Sequence, residues 1–269
     1  MTRRLFRPEE DSGVVGVRSA AYGFVGNVIM EMVAGEGMGE ANVARFKALT
    51  ESALAASGAA NRQDFLPFYG FSISAGSCSR RLAGIAKDRN DFGQGIVDGF
   101  RRRHRSSPPE RRTVVGDLLR LQKSLPELYG DDVIRTVCLS LLQAGTDTSA
   151  STIEWAMALL LNNPDVLKKA KAEIDSIVGT SRLLQESDLA GLPYLRCIIT
   201  ETLRQYPPAP HLVLHEALQD CMIAGHDVSC GTMVLIDVYS MQRDPLVWED
   251  LRSSCQRGSR VSKPTKGNG

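Results

Sequence analysis

The chain has 269 residues, 43% hydrophobic and 23% charged, with a formal net charge of +1. That apolar content is ample for a core, which excludes a disordered chain, and the near-neutral balance excludes electrostatic steering toward nucleic acid. Six cysteines stand scattered with no Cys-x-x-Cys spacing, so a zinc ribbon is excluded and reduced thiols are expected.

Taken in order, the pattern is mostly helical. Tyr22 to Val33 is apolar and ends at Gly35-Glu36-Gly37-Met38-Gly39. That glycine cluster lacks a preceding strand and the Lys-Ser/Thr of a phosphate loop, so it reads as a turn. Asn42 to Ser57 is an amphipathic helix ended by Gly58, and Asp64-Phe65-Leu66-Pro67 is a loop packed by aromatics. Ser79 to His104 predicts a long helix burying Ile85, Phe92 and Ile96. The run Arg101-Arg102-Arg103-His104-Arg105 reads as a solvated inter-helix loop in preference to a binding patch. Val114 to Ser124 is a further helix. Asp131 and Asp132 then start a long central helix favourably for its dipole, and it runs to about Leu161. Asn163-Pro164 caps and opens a helix to Val178 that Gly179 closes. Leu192 to Tyr206 is a helix closed by Pro207-Pro208. Beyond Pro210 the pattern turns to strand, with Cys221–Ala224 and Thr232–Ile236 as short runs and Gly225-His226-Asp227 as the turn.

Two places break these local rules. Ala144-Gly145-Thr146-Asp147-Thr148 sits inside the apolar central helix, where Gly145 costs about 1 kcal/mol against Ala and Thr146 and Thr148 are poor formers. Local rules that fail together mark a functional site: Gly145 lets something flat approach, and Asp147 and Thr148 offer groups for proton traffic. A kink with Thr hydroxyls bonded back to the preceding turn fits the same residues. In the second place Glu201 and Arg204 stand three apart on one helix face. Such a pair is either a solvated surface pair or, among Cys197, Ile198, Ile199, Leu203 and Tyr206, a partly buried one that needs further partners.

In this order and spacing the two signals resemble the cytochrome P-450 family of haem-thiolate monooxygenases, closest to the plant enzymes that hydroxylate isoflavonoids. Ala144–Thr148 is similar to that family's oxygen-activating segment and Glu201-Thr202-Leu203-Arg204 to its Glu-x-x-Arg helix. Pro207–Glu216 resembles the loop over the haem, and Asp227-Val228, Gly231-Thr232 and Arg243-Asp244-Pro245-Leu246-Val247-Trp248 resemble its sequel. The resemblance implies a mainly helical fold with a small β part, incomplete here and built around the central helix. It implies haem as cofactor, O2 and NADPH-derived electrons delivered by NADPH–cytochrome P-450 reductase, and a small apolar or aromatic natural product hydroxylated at a C–H bond. No nucleic-acid partner is implied. Gly145 would leave room for O2, Thr148 would hold dioxygen by a hydrogen bond and Asp147 would pass protons inward. Ala144, Thr148 and His215 would contact the cofactor, Glu201 and Arg204 would be structural, and Leu212, Val213 and Leu214 would line the substrate pocket. The central helix should turn Asp147 and Thr148 toward a cavity. His104, His211 and His226 match no role.

The sequence also departs from the family. The cysteine loop Phe-x-x-Gly-x-Arg-x-Cys-x-Gly and the Pro-Glu-Arg-Phe segment do not occur in these residues. Cys255 has neither the aromatic nor the Arg before it, so no metal ligand is assigned and stable haem binding is not expected. The resemblance spans a partial domain over residues 1–250. Residues 251–269 hold five basic residues and no acid, with no hydrophobic period, and are expected to be a disordered basic tail, consistent with a shifted reading frame. The family sits on the cytosolic face of the endoplasmic reticulum membrane through an N-terminal anchor. No charged start with an apolar run stands at the front of this chain, so a cytosolic fragment is expected.

Overall fold

The structure, a computed structural model, describes residues 16–57, 73–105 and 111–248. The chain divides into two compact units, Met1–Ala150 and Ser151–Gly269. The expected aromatic loop at residues 64–67 and the basic tail lie outside the described residues. Among those residues no helix is long and apolar enough to cross a membrane.

The first unit is helical. Helix α1 spans Val17–Ala34, α2 Glu40–Ser57, α3 Ile73–Arg103 and α4 Val114–Ser124, and α5 begins at Asp131 and runs to Asn162. Helix α1 is apolar on nearly every face and contributes Ala21, Tyr22, Val25, Met30 and Val33 to the core, as such a helix must. Also buried in this unit are Phe46 of α2, Phe92, Val97 and Phe100 of α3, and Ile134, Cys138 and Leu142 of α5. Phe46 and Phe92 stack with centroids 5.5 Å apart. The buried stripe of α3 thus runs through Val97 and Phe100, while Ile85 and Ile96 are only half-buried. Helix α1 stops because Gly35 takes φ 76° and its N–H reaches the Glu31 carbonyl at 2.8 Å, a left-handed cap that L-residues resist. Asn27 holds the following turn: its Oδ1 accepts from the N–H of Met38 at 2.8 Å and of Gly39 at 3.3 Å.

The arginine run is not a loop. Arg101–Arg103 form the last turn of α3, and Arg101 grips Asp131 through both carboxylate oxygens at 2.7 and 2.6 Å. Gln122 of α4 bonds both partners, and Arg103 pairs with Glu36. A carboxylate within reach outcompetes solvation of a bare guanidinium because the bidentate fork adds geometry to charge.

In the second unit the end of α5 meets α6 (Pro164–Ile177) and α7 (Pro193–Gln205). Ala170, Tyr194 and Ile198 form the core there, with Leu160 and Val166 against it. Glu173 of α6 accepts from the N–H groups of Tyr194 and Leu195 at 2.8 and 2.9 Å, satisfying the open start of α7. Asn163 does not cap α6 with its side chain; its amide donates back to the Leu159 carbonyl at 2.8 Å and closes α5 instead.

The β part is two two-stranded sheets. Strand β1 (His215–Glu216) pairs antiparallel with β4 (Met233–Val234), and β2 (Cys221–Ile223) with β3 (His226–Val228). The expected turn is shifted: Ala224 and Gly225 bend at φ 49° and 83°, and His226-Asp227 are already strand. Two successive positive-φ residues match the twist of a hairpin, which a turn centred on His226 would not. A short helix, α8 (Val238–Met241), follows.

Candidate functional site

Helix α5 passes through residues 144–148 without interruption. A Cβ at Gly145 would lie 3.0 Å from Cδ1 of Ile29, so the missing side chain is used by close packing of α1. Thr146 is fully buried beside Gly26, and its hydroxyl has no hydrogen-bond partner. Asp147 is half-buried and meets Arg18 of α1 at 3.6 Å. Thr148 is exposed, and its hydroxyl donates to the Ala144 carbonyl at 2.6 Å. That is the back-bonding expected of a mid-helix threonine.

The expectation that Asp147 and Thr148 share a cavity wall is therefore corrected. Consecutive helical residues point about 100° apart, so with Asp147 turned toward Arg18, Thr148 and Ala144 face outward. A cavity of about 350 Å³ does adjoin α5, but two turns earlier, where Thr136, Leu139 and Ser140 meet Ala53, Ile85 and Arg89.

On α7 the residues close on one another. The guanidinium of Arg204 donates to both oxygens of Glu201 at 2.8 and 2.6 Å and to the Gln242 carbonyl at 2.6 Å. Gln205 adds a fourth bond, to Glu201 Oε1 at 2.6 Å. The pair is buried, with 4% of the Arg204 side chain and 13% of the Glu201 side chain exposed. Each group thereby has the extra partners that a desolvated ion pair requires.

The loop after α7 is open. His215 lies exposed on β1 opposite Val234, and Leu212, Val213 and Leu214 are all exposed, Val213 by 73%. Leu212 takes φ 53°, an uncommon conformation for a bulky residue. The expected apolar pocket wall is thus an exposed strand approach in this structure. Residues to which the sequence pattern assigns no role at this pair stand around Arg204. Trp155 stacks on Tyr206 at 3.8 Å, the Trp248 ring lies 4.9 Å from the Arg204 guanidinium, and Arg243 lies 3.6 Å from the Tyr239 ring. Aromatic residues bracketing a helix that ends in Arg204-Gln205-Tyr206 are the only sequence signal for them.

Burial pushes the Cys138 thiol up to about 11, away from the thiolate form. Cys221 and Cys230 are exposed on the β part, and among the described residues no three His, Cys, Asp or Glu side chains converge. On α5 itself, Ala144 and Thr148 are the residues of the 144–148 segment that face outward.

A mainly helical protein with a long central helix, a buried Glu-x-x-Arg pair and two small sheets is the class these features define. Residues 5–250 match the cytochrome P450 family, and the chain belongs to it. The chain is 42% identical over 230 residues to a (+)-piperitol/(+)-sesamin synthase of Sesamum radiatum, covering 83% of this chain and 44% of that protein. It is 39% identical over 240 residues to an isoflavone 2'-hydroxylase of Glycyrrhiza echinata, covering 86% and 47%. An isoflavone 3'-hydroxylase of Medicago truncatula is 42% identical over 209 residues, covering 78% and 41%. The chain thus spans a little under half the length of these relatives.

Proposed function

We propose that this chain supplies the central-helix half of a haem-dependent monooxygenase that hydroxylates a C–H bond of a small apolar or aromatic natural product. The observation that carries the reading is the family match across residues 5–250, together with relatives named for isoflavone hydroxylation. Haem, when bound, supplies the oxygen and electron chemistry; the protein contributes orientation, cavity and proton supply. Ala144 is the small outward residue of α5 while Gly145 lets Ile29 of α1 approach, and Thr148 and Asp147 are the hydroxyl and carboxylate for proton traffic. In this reading Asp147 is positioned by Arg18, an exposed pair worth little by itself. His215 serves as a donor to a cofactor carboxylate, Leu212, Val213 and Leu214 as apolar substrate contacts, and Glu201 with Arg204 as the rigid anchor. Residues 1–250 act as one partial domain, with residues 251–269 outside it. The redox partner is an NADPH-dependent reductase at the endoplasmic reticulum membrane.

A second reading, a helical module without catalysis, is favoured by the outward-facing Ala144 and Thr148. One experiment separates the two. Residues 5–250 replace the matching segment of the Medicago isoflavone 3'-hydroxylase, and product is assayed beside haem content. Hydroxylation that falls sharply with Thr148→Ala supports the first reading. A chimera that holds haem yet hydroxylates nothing supports the second.

A further inference from the structure

The stretch Arg243–Trp248 matches the family pattern but has no part in the reading above, and two of its side chains, Arg243 and Trp248, turn back onto the end of α7. Trp248 lies with its ring 4.9 Å from the Arg204 guanidinium, while its indole N–H donates to the Met241 carbonyl at 3.3 Å. Its backbone is fixed too, since the N–H groups of Val247 and Trp248 both bond the Asp244 carbonyl at 3.0 and 2.9 Å. The Asp244 carboxylate accepts from the Leu246 N–H at 2.9 Å. Arg243 donates to the Gln205 carbonyl, one of the carbonyls a helix leaves unbonded at its last turn. It also donates to the Tyr239 carbonyl at 3.3 Å and stands over the Tyr239 ring at 3.6 Å and the Tyr206 ring at 5.9 Å. Tyr206 in turn stacks on Trp155 with ring planes 7° apart.

We infer that residues 242–248 are a strap that positions the Glu201–Arg204 pair, with Trp248 as the lid on Arg204 and Arg243 as the cap of α7. Desolvation of Arg204 calls for such a lid. A guanidinium bonded to Glu201 on one edge and the Gln242 carbonyl on another still has a flat face, and a π-ring is the one apolar group that covers it without cost to the charge. Removing the ring opens that face to water and loosens the fork. Arg243 acts at a different point: a cation at the last turn satisfies a carbonyl and complements the helix dipole. The strap thus fixes Arg204 from both the ring side and the backbone side. The inference concerns this local clasp and stands or falls independently of haem binding.

Trp155 and Trp248 are the only tryptophans in the chain, which makes the clasp directly visible. In full-length Trp155→Phe protein, Trp248 is the sole indole fluorophore. Arg204→Lys keeps the charge but loses the flat stacked face, and is expected to shift Trp248 emission and raise its acrylamide quenching. Unchanged emission and quenching would overturn the inference. In the wild-type background, amide exchange at Arg204, Gln205 and Tyr206 is expected to quicken roughly fivefold in Trp248→Leu, but less than twofold in Trp248→Phe, which retains a ring. Equal acceleration in both variants would reduce Trp248 to a hydrophobic plug and contradict the proposed role. Circular dichroism identifies any variant that has lost its helices, and for such a variant the Arg204→Lys fluorescence decides.

Discussion

On α7 the Arg204 guanidinium meets Glu201, the Gln242 carbonyl and the Trp248 ring, and only 4% of its side chain remains exposed. On α5, Thr148 and Ala144 look outward, and Thr146 buries a hydroxyl with no partner. Both segments carry the family's signatures, and they differ in where their partners come from. The α7 pair is completed from its own helix and from residues within about fifty positions along the chain. The described residues complete no comparable set around Ala144–Thr148. A motif whose partners lie nearby assembles locally; one that needs distant partners stays open on the same scaffold.

The largest expected effect lies on the closed side. Glu201→Ala leaves Arg204 buried with its main counter-charge gone, a change that costs about 3–5 kcal/mol in proteins generally. Thermal unfolding followed by circular dichroism should show a clear fall in Tm, whereas Thr148→Val on the open face should stay within about 0.5 kcal/mol. Comparable losses for the two variants would erase the contrast between the segments. Thr146→Val sharpens it in the opposite direction. Replacing a buried hydroxyl that lacks a partner with an isosteric methyl should raise stability by about 1 kcal/mol; a loss of that size would show that the hydroxyl has a partner after all.

The pH dependence should also separate local networks. Hydrogen bonds from Arg101 and then Gln122 hold the Asp131 carboxyl well below the usual carboxylate range. A carboxylate depressed in the folded state stabilises above its unfolded pKa of about 3.9, and that contribution disappears as pH falls through the lowered folded value. Asp131→Asn should therefore lower Tm at neutral pH and flatten the acid limb below about pH 4, as measured by Tm against pH. The smallest effect concerns the thiols. At pH 8, with a maleimide, Cys221 and Cys230 should be labelled first, and Cys138, raised by burial to about 11, only on the timescale of opening. Early labelling of Cys138 would mean that the packing around it on α5 is looser than described.

Much of the helical frame was legible because periodicity and punctuation agree. The start of α5 at Asp131, the bounds of α4 and the Gly35 stop all follow from residue type. The Glu201–Arg204 contact was legible because a three-residue spacing fixes it. Its burial was not, since the neighbours Ile199 and Leu203 are exposed and Gln242 and Trp248 cover Arg204 instead. Less legible was anything decided by a partner far along the chain. Arg101 reads as part of a solvated run until Asp131, thirty residues on, is placed beside it. The hairpin turn slipped because Gly225 sits second in a two-residue turn with Ala224, an unfavourable residue at positive φ that only the strand pairing accounts for. The aromatic clasp over Arg204 escaped because nothing in a linear pattern sets Trp248 above a guanidinium 44 positions earlier.

The most direct test of the account is spectroscopic. The chain is expressed with haem supplied, reduced and exposed to carbon monoxide, and the Soret region is recorded beside that of the Medicago hydroxylase. No thiolate-type band is expected, because the loop Phe-x-x-Gly-x-Arg-x-Cys-x-Gly does not occur in these residues. A stable thiolate-type band, abolished by Cys255→Ala, would contradict this and assign the thiolate to Cys255.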